Sequence, residues 1–284
     1  MNRRILILGS GGQIGAYLTD YLNKIGYEVL EFDIVNGLHH DMTEIPNAEL
    51  HRQIMRSHFV FFLAFDVGGS HYLKKYQHTF KFIDNNARMM ANVFGLLEKY
   101  DKPFVFASSQ MSNMSYSPYG VMKRVGELYT KSLGGLIVKF WNVYGIEKDM
   151  EKAHVITDFI SKGFENGVIE MMTDGKEERQ FLYAEDCCKA LKIIMKKYDQ
   201  FKSDDPLHIT SFKNSSILEV AEVIQDLFLE EGKQVQIIPS NSTDTVQLDK
   251  KNKANTFILD WWQPKTTLRS GIKKIFEEMK NDWV

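Results

Sequence analysis

The stretch that most constrains this chain runs from Ile5 to Asp33. Ile5-Leu6-Ile7-Leu8 is an unbroken apolar run, as a strand buried on both faces of a parallel sheet requires. It passes directly into Gly9-Ser10-Gly11-Gly12-Gln13-Ile14-Gly15. Glycines spaced G-x-x-G-x-x-G permit a tight turn and let backbone N–H groups approach an anion at a helix N-terminus. Ile14, Leu18, Leu22 and Ile25 then recur on one helical face, Gly26 ends the helix, and Glu28 to Phe32 reads as a second strand closed by Asp33. This order predicts a dinucleotide-binding unit, with Gly9, Gly11, Gly12, Gln13, Ile14 and Gly15 around the pyrophosphate. Asp33 is placed to accept hydrogen bonds from the adenosine ribose hydroxyls. A carboxylate there repels a 2′-phosphate, and Arg3 and Arg4 precede the first strand, so the dinucleotide expected is NAD.

The alternation continues. Phe59 to Leu63, Phe104 to Ala107 and Leu136 to Phe140 read as further buried strands, with helical stretches from about Tyr76 to Lys99 and around Tyr119 between them. Such alternation predicts an α/β, Rossmann-type, doubly wound parallel sheet with a smaller, mostly C-terminal α/β lobe for substrate. We expect the dinucleotide domain over 1–145, with sheet returns from 175–215, and the lobe over 146–284. In the lobe, helices are expected at His154–Glu165, Asp186–Lys197, Ile217–Leu229 and Ser270–Met279, with short apolar segments at Val168–Met172 and Val235–Ile238. The polar stretch Ser240–Lys253 reads as a mobile loop or linker.

Composition excludes several classes. With 35 basic against 37 acidic residues, net charge −2, no general field attracts nucleic acid or a membrane surface. No apolar run approaches the roughly 18 residues of a membrane span. Cys187 and Cys188, the only cysteines, are adjacent, and no zinc-type Cys/His spacing occurs, so no metal is expected and a reducing cytoplasm is the natural setting.

The chemistry is concentrated in Tyr119-Gly120-Val121-Met122-Lys123, with Ser108-Ser109 upstream. Four residues is one helical turn, so Tyr119 and Lys123 share a helix face. A phenol with a pKa of about 10 is a poor base at neutral pH, but a neighbouring ammonium favours the phenolate. A Ser hydroxyl can hold the reacting oxygen while a proton moves. The same spacing recurs at Tyr198–Lys202 without a Ser-rich strand end before it. Ser117-Pro118 reads as a helix N-cap with Pro at N1, and Tyr116 as packing or a supporting residue.

Further motifs follow in order: His40-Asp41-Met42, Phe62-Leu63-Ala64, Asp84-Asn85-Asn86, Ala107-Ser108-Ser109, Phe140 to Gly145, Gly175 to Asp186, and Trp262-Gln263-Pro264-Lys265. Together with the glycine loop, Asp33 and Tyr119–Lys123, they resemble the extended short-chain dehydrogenase/reductases of the nucleotide-sugar epimerase/dehydratase group, over nearly the whole chain. The resemblance is to UDP-galactose 4-epimerase-like members, with local similarity to GDP-fucose synthase and GDP-mannose 3,5-epimerase at Phe65 to Ser70 and Ala153 to Ile156. It implies that Asp41 and Met42 lie near adenine and that Leu63, Ala64, Phe65, Asn86, Ala107 and Ser108 line the cofactor path. It also implies that Ser109, Gln110, Tyr119, Asn142, His154 and Arg179 meet a nucleotide-diphosphate sugar, with Arg179 on the diphosphate. Lys139 stands where many relatives carry Arg, and His208, Lys213 and Trp262 are further pocket candidates. A homodimer through the helices Tyr76–Lys99 and Tyr119–Ser132 is implied as well.

In GDP-fucose synthase a Cys after the catalytic Ser segment pairs with the His corresponding to His154, and dehydratases of the group carry an Asp-Glu pair there. Here Gln110 and Met111 occupy that region. Neither abstracts a proton from carbon, so His154 is read as a hydrogen-bonded helix-start residue at the lobe interface. The resemblance then leaves NAD-dependent oxidoreduction at C4 of the sugar. Tyr119 would move the proton, Lys123 would lower its pKa and hold the nicotinamide ribose, and Ser109, or its neighbour Ser108, would orient the hydroxyl. A 4-epimerase is the first expectation and a dehydrogenase or 4-keto reductase the second. A non-catalytic NAD-binding sensor or scaffold is the reading of a different class.

Overall fold

In the computed structural model, which describes residues 3–201, 205–247 and 252–283, β1 (Arg4–Leu8) enters the glycine turn and α1 (Gln13–Lys24) leaves it. There follow β2 (Glu28–Phe32), α2 (Ala48–Arg56), β3 (Phe59–Phe62), α3 (Ser70–Tyr76) and α4 (Phe80–Lys99). Next come β4 (Phe104–Ser109), α5 (Pro118–Ser132), β5 (Leu136–Phe140), β6 (Asn142–Tyr144), α6 (Val155–Asn166), β7 (Val168–Glu170) and β8 (Glu178–Tyr183). The chain continues through α7 (Ala184–Lys196), β9 (Leu207–Ile209), β10 (Asn214–Ser216), α8 (Ile217–Glu230), β11 (Gln236–Ile238) and α9 (Leu268–Trp283).

Six strands form one parallel sheet in the order β2-β1-β3-β4-β5-β9. This is the doubly wound Rossmann arrangement, and the strand order reverses beside β1, opening a crevice at the carboxyl ends of β1 and β3. Alternation along each strand divides the core between two faces. Ile5 and Ile7 of β1 pack with Leu18 and Leu22 of α1 and Leu191 and Ile194 of α7. Leu6 and Leu8 pack on the other side with Leu50 and Ile54 of α2 and Val93 and Phe94 of α4. Away from this sheet, β10-β8-β6 and β11-β7 form two small sheets. They lie among α6, α8 and α9, whose Ile160, Ile224, Phe228 and Phe276 make a separate core.

Some element boundaries differ from the sequence expectation. The helix expected from about Tyr76 begins at Phe80 as α4, because the Thr79 hydroxyl accepts the Phe82 N–H and starts it there, while Tyr76 ends the separate α3. Ile25 does not join the buried face of α1: it is the C-cap and is exposed. α2, capped by Asn47, was not foreseen, since its buried face is only Leu50, Gln53 and Ile54.

Candidate active site

The turn after β1 shows two different uses of glycine. Gly9 has φ +90°, a region open to glycine, and a Cβ there would lie 2.6 Å from the Ala64 nitrogen. A Cβ on Gly15 would sit 1.9 Å from the Gly9 carbonyl oxygen, so this glycine is demanded by the turn closing on the helix. Gly12 is different. It is exposed, and its Cβ would meet only the Gly9 oxygen, at 3.5 Å. No side chain caps α1, whose first N–H groups face this open ground. The residues fit a pyrophosphate: a bare backbone surface at a helix N-terminus where the protein itself puts nothing. Gln13 donates to the Gly145 carbonyl at 3.2 Å and ties this helix to the segment after β6, while Ile14 packs on the core.

The other expected cofactor residues surround the same crevice. Asp33, at the end of β2, accepts the N–H of Gly11 at 2.9 Å and of Val35 at 3.1 Å, which anchors its carboxylate against the glycine turn. Asp41 is turned into its own loop, accepting the Thr43 N–H and hydroxyl at 2.8 Å, and Met42 is buried. Leu63 and Ala64 follow β3, with the Ala64 N–H on the Leu8 carbonyl. Asn86, fully buried on α4, accepts the Asp66 N–H at 2.8 Å and donates to the Phe82 carbonyl, so its amide braces the loop after β3. Phe65, in that loop, covers the Lys123 ammonium at 3.8 Å from the ring centre and meets Tyr119 edge-on.

Ser117 caps α5 with Pro118 behind it, as the sequence indicated, and presents Tyr119 and Lys123 to the end of β4. The Tyr119 phenol, 9% exposed, stands beside Ser109, which tempers the rise in its pKa and whose oxygen accepts the Met111 N–H at 3.1 Å. The adjacent serines are separated by strand alternation. Ser108 faces α5 and donates to Glu127 at 2.6 Å in the interior, so its hydroxyl is withdrawn from Tyr119 and from the cofactor path expected for it. The expectation that Lys123 lowers the Tyr119 pKa is not met in this arrangement. Burial drives the phenol up to about 12 and the ammonium down to about 7. The Lys123 nitrogen donates instead to the Ala107 carbonyl at 2.6 Å and lies 5.8 Å from the Tyr119 ring centre. Tyr198, in the second copy of the spacing, sits at the opposite, amino ends of the strands against Phe59, its hydroxyl on the Gly134 carbonyl; Lys202 lies outside the described residues.

The stretch Ser240–Lys253 is not a free linker over its described residues. Val246 is buried in a cluster with Met111, Met114 and Tyr119. Gln247 accepts from Gln110 through its side chain and from Tyr116 through its carbonyl, at 2.9 and 2.8 Å, and Asn252 donates to the Gln110 carbonyl at 2.6 Å. Asp244 pairs with Arg179 of β8, both side chains largely buried. Residues 248–251 lie outside the described set. Asn142 opens β6, half-buried.

His154 is the N-cap residue of α6, and its Nδ1 lies 2.6 Å from Glu147, which also accepts its N–H. Burial lowers the imidazole pKa, but Glu147 outweighs it and the net shift is upward. Among the remaining pocket candidates, Trp262 is core, packed with Ile258 and Val143, and His208 is buried against Trp141. Lys213 is exposed.

Sequence reasoning missed Glu127, Glu147 and Asp244. Glu127 had a signal: it lies one further turn beyond Lys123 on the same helix face. The other two are single acids in polar stretches, and only the tertiary fold brings them to His154 and Arg179. Among the described residues no group of three or more His, Cys, Asp or Glu is placed to hold a metal ion, and no helix is long and apolar enough to cross a membrane.

Known proteins are similar to this chain over nearly its whole length. A putative UDP-glucose 4-epimerase of Methanocaldococcus jannaschii is 26% identical over 98% of this chain and 99% of its own length. A UDP-N-acetyl-alpha-D-glucosaminuronate decarboxylase of Bacillus cytotoxicus is also 26% identical, over 99% of this chain and 100% of its own. The crystal structure of a UDP-glucose 4-epimerase of Thermotoga maritima, with UDP-glucose, superposes with a TM-score of 0.81 at 18% identity, covering 99% of this chain and 100% of that one. The sequence pattern of the NAD dependent epimerase/dehydratase family matches residues 5–209. The chain belongs to that family of nucleotide-sugar enzymes, and its dinucleotide is NAD.

Proposed function

We propose that this protein is a nucleotide-sugar 4-epimerase in which Tyr119 moves the proton of the C4 hydroxyl. The observation that carries the reading is the buried Tyr119 phenol beside Ser109 at the end of β4, with Lys123 one helical turn away and the open backbone of Gly12 across the crevice. NAD, when bound, supplies the hydride acceptor and donor. Ser109 holds the sugar oxygen against the phenol, and Tyr119 takes or returns its proton. A phenol pushed up to about 12 carries its proton at neutral pH and would give it up only as alkoxide character develops on the ketone oxygen. To act as a base it needs a positive charge against it, and Lys123, one turn away and titrating near neutrality, is the group able to bring one. Gln110 and Met111 offer no carboxylate for elimination of water and no thiol for epimerisation beside a ketone. That confines the proposed chemistry to C4.

The nucleotide sugar would lie across the mouth of β4 and β6, with its diphosphate at Arg179 and its sugar near Asn142 and Gln110. We assign the dinucleotide role to 1–145 and the substrate role mainly to 146–284. Phe80, Ile83, Val121, Leu128 and Tyr129 leave apolar surface exposed on α4 and α5, which supports pairing of two copies through these helices. A 4-keto reductase is the second reading, favoured by the packing of Val246 against Tyr119, which narrows the space in which a sugar would turn over. The test is incubation with NAD and a panel of UDP-, GDP-, dTDP- and CDP-sugars, including uronic acids, following reduced cofactor and product together. C4-inverted product without net reduced cofactor supports the epimerase. Net reduced cofactor supports the dehydrogenase, release of carbon dioxide redirects the reading to decarboxylation, and no turnover of any sugar favours a sensor.

A further inference from the structure

Glu127 is 1% exposed, and a carboxylate is almost never so deep unless it is paired. It lies one turn after Lys123 on α5. Its Oε1 accepts the Ser108 hydroxyl at 2.6 Å and stands 3.2 Å from the Lys139 ammonium of β5, and its Oε2 stands 2.7 Å from the Arg124 guanidinium. Nothing in the proton-transfer group uses it. The charged and titratable groups around it are Lys123 and Arg124 on α5, Lys139 on β5, and His208 on β9, the register partner of Lys139. Tyr119 lies one turn beyond Lys123. Burial and then Lys139 push His208 down to about 4, so it stays neutral. Burial raises the Glu127 carboxyl, but the Ser108 bond, Lys139 and Arg124 outweigh it and keep it ionised. Burial depresses Lys123, and the Glu127 charge opposes that depression.

We propose that Glu127 is the positioning residue of the Tyr119–Lys123 pair. Through Ser108 it fixes the end of β4, which offers the Ala107 carbonyl to Lys123 and Ser109 to Tyr119. Through its charge, one turn away on the same helix, it favours the ammonium form of Lys123 against burial, with Lys139 offsetting part of that charge. The inference rests on Tyr119 and Lys123 being the proton-transfer pair, but the protonation of Lys123 is readable without turnover.

The experiment uses the full chain labelled with 13C-lysine, the Lys123 Cε resonance being identified by its loss in Lys123→Met. Its titration is followed by NMR in the wild type, Glu127→Gln and Lys139→Met. Glu127→Gln is expected to lower the midpoint by on the order of one pH unit, and Lys139→Met to raise it. The alkaline limb of the kcat profile should move in the same two directions. Opposite signs are what a purely packing role does not produce. Midpoints unchanged in both folded variants, or moved the same way, overturn the proposal. Should Glu127→Gln fail to fold, the sign in Lys139→Met decides. If no nucleotide sugar is turned over, the function fails but the titration still judges Glu127.

Discussion

Replacing Gly12 and Gly15 in turn by alanine separates what the protein needs from what the dinucleotide needs. Gly12 has φ −74° and ψ 167°, which alanine adopts freely, and its new methyl would meet only the Gly9 oxygen at 3.5 Å. Gly12→Ala therefore restricts the unfolded chain without straining the folded one, a gain of about 0.4–1 kcal/mol, or about 1–4 °C in Tm. In the proposed assignment the same methyl stands where the pyrophosphate reaches the N-terminus of α1. Losing one or two charge-assisted N–H bonds at about 1.5 kcal/mol or more each should raise the Kd for NAD about tenfold to a hundredfold. Gly15→Ala puts a methyl 1.9 Å from the Gly9 carbonyl oxygen and 2.9 Å from the Ser10 Cα, contacts that force the backbone apart. It should cost about 1–3 kcal/mol in stability as well as NAD affinity. Thermal unfolding and calorimetric titration with NAD read both quantities. Wild-type NAD affinity in Gly12→Ala, or destabilisation there equal to that in Gly15→Ala, would refute the assignment of this turn.

Other outcomes are equally definite. The His154–Glu147 pair raises the imidazole pKa above its usual 6.5, so its stabilisation is complete below that range and is lost as pH rises through the raised value. The pH-dependent part of the difference in urea midpoint between the wild type and Glu147→Gln should accordingly be largest in mild acid and close in mild alkali. Asp244→Asn removes the partner of a largely buried guanidinium and weakens the acceptors of the Val246 and Gln247 N–H groups. It should cost about 1–3 kcal/mol in thermal unfolding. Arg179→Lys loses a forked donor and should raise the KM for a nucleotide sugar by about tenfold while leaving NAD affinity unchanged.

The first half of the fold was legible because buried parallel strands announce themselves as unbroken apolar runs, and Ile5–Leu8, Phe59–Leu63 and Phe104–Ala107 all became sheet strands. The glycine turn and the Ser117-Pro118 cap were legible for a related reason, since each is a local backbone requirement. The short strands β6, β8 and β10 were not, because three- to six-residue strands with polar members such as Arg179 and Gln180 carry no period of their own. Choosing between Ser108 and Ser109 needed the fold as well, because the answer lies in Glu127, on another element. The strap around Val246 was invisible for the opposite reason to β1: an isolated apolar residue in a polar stretch becomes buried only when Met111, Met114 and Tyr119 are brought beneath it. The sequence pair Tyr119 and Lys123 suggested a lowered phenol pKa from spacing alone. Burial, which spacing cannot report, sends it the other way.

The central claim is that Tyr119 transfers the C4 proton, and Tyr119→Phe tests it most directly. The substitution removes one hydroxyl and keeps the ring against Phe65 and Val246. Turnover of the nucleotide sugar accepted by the wild type should fall by about 10²–10⁴-fold, with NAD affinity within about twofold. Undiminished turnover in that variant would contradict the account.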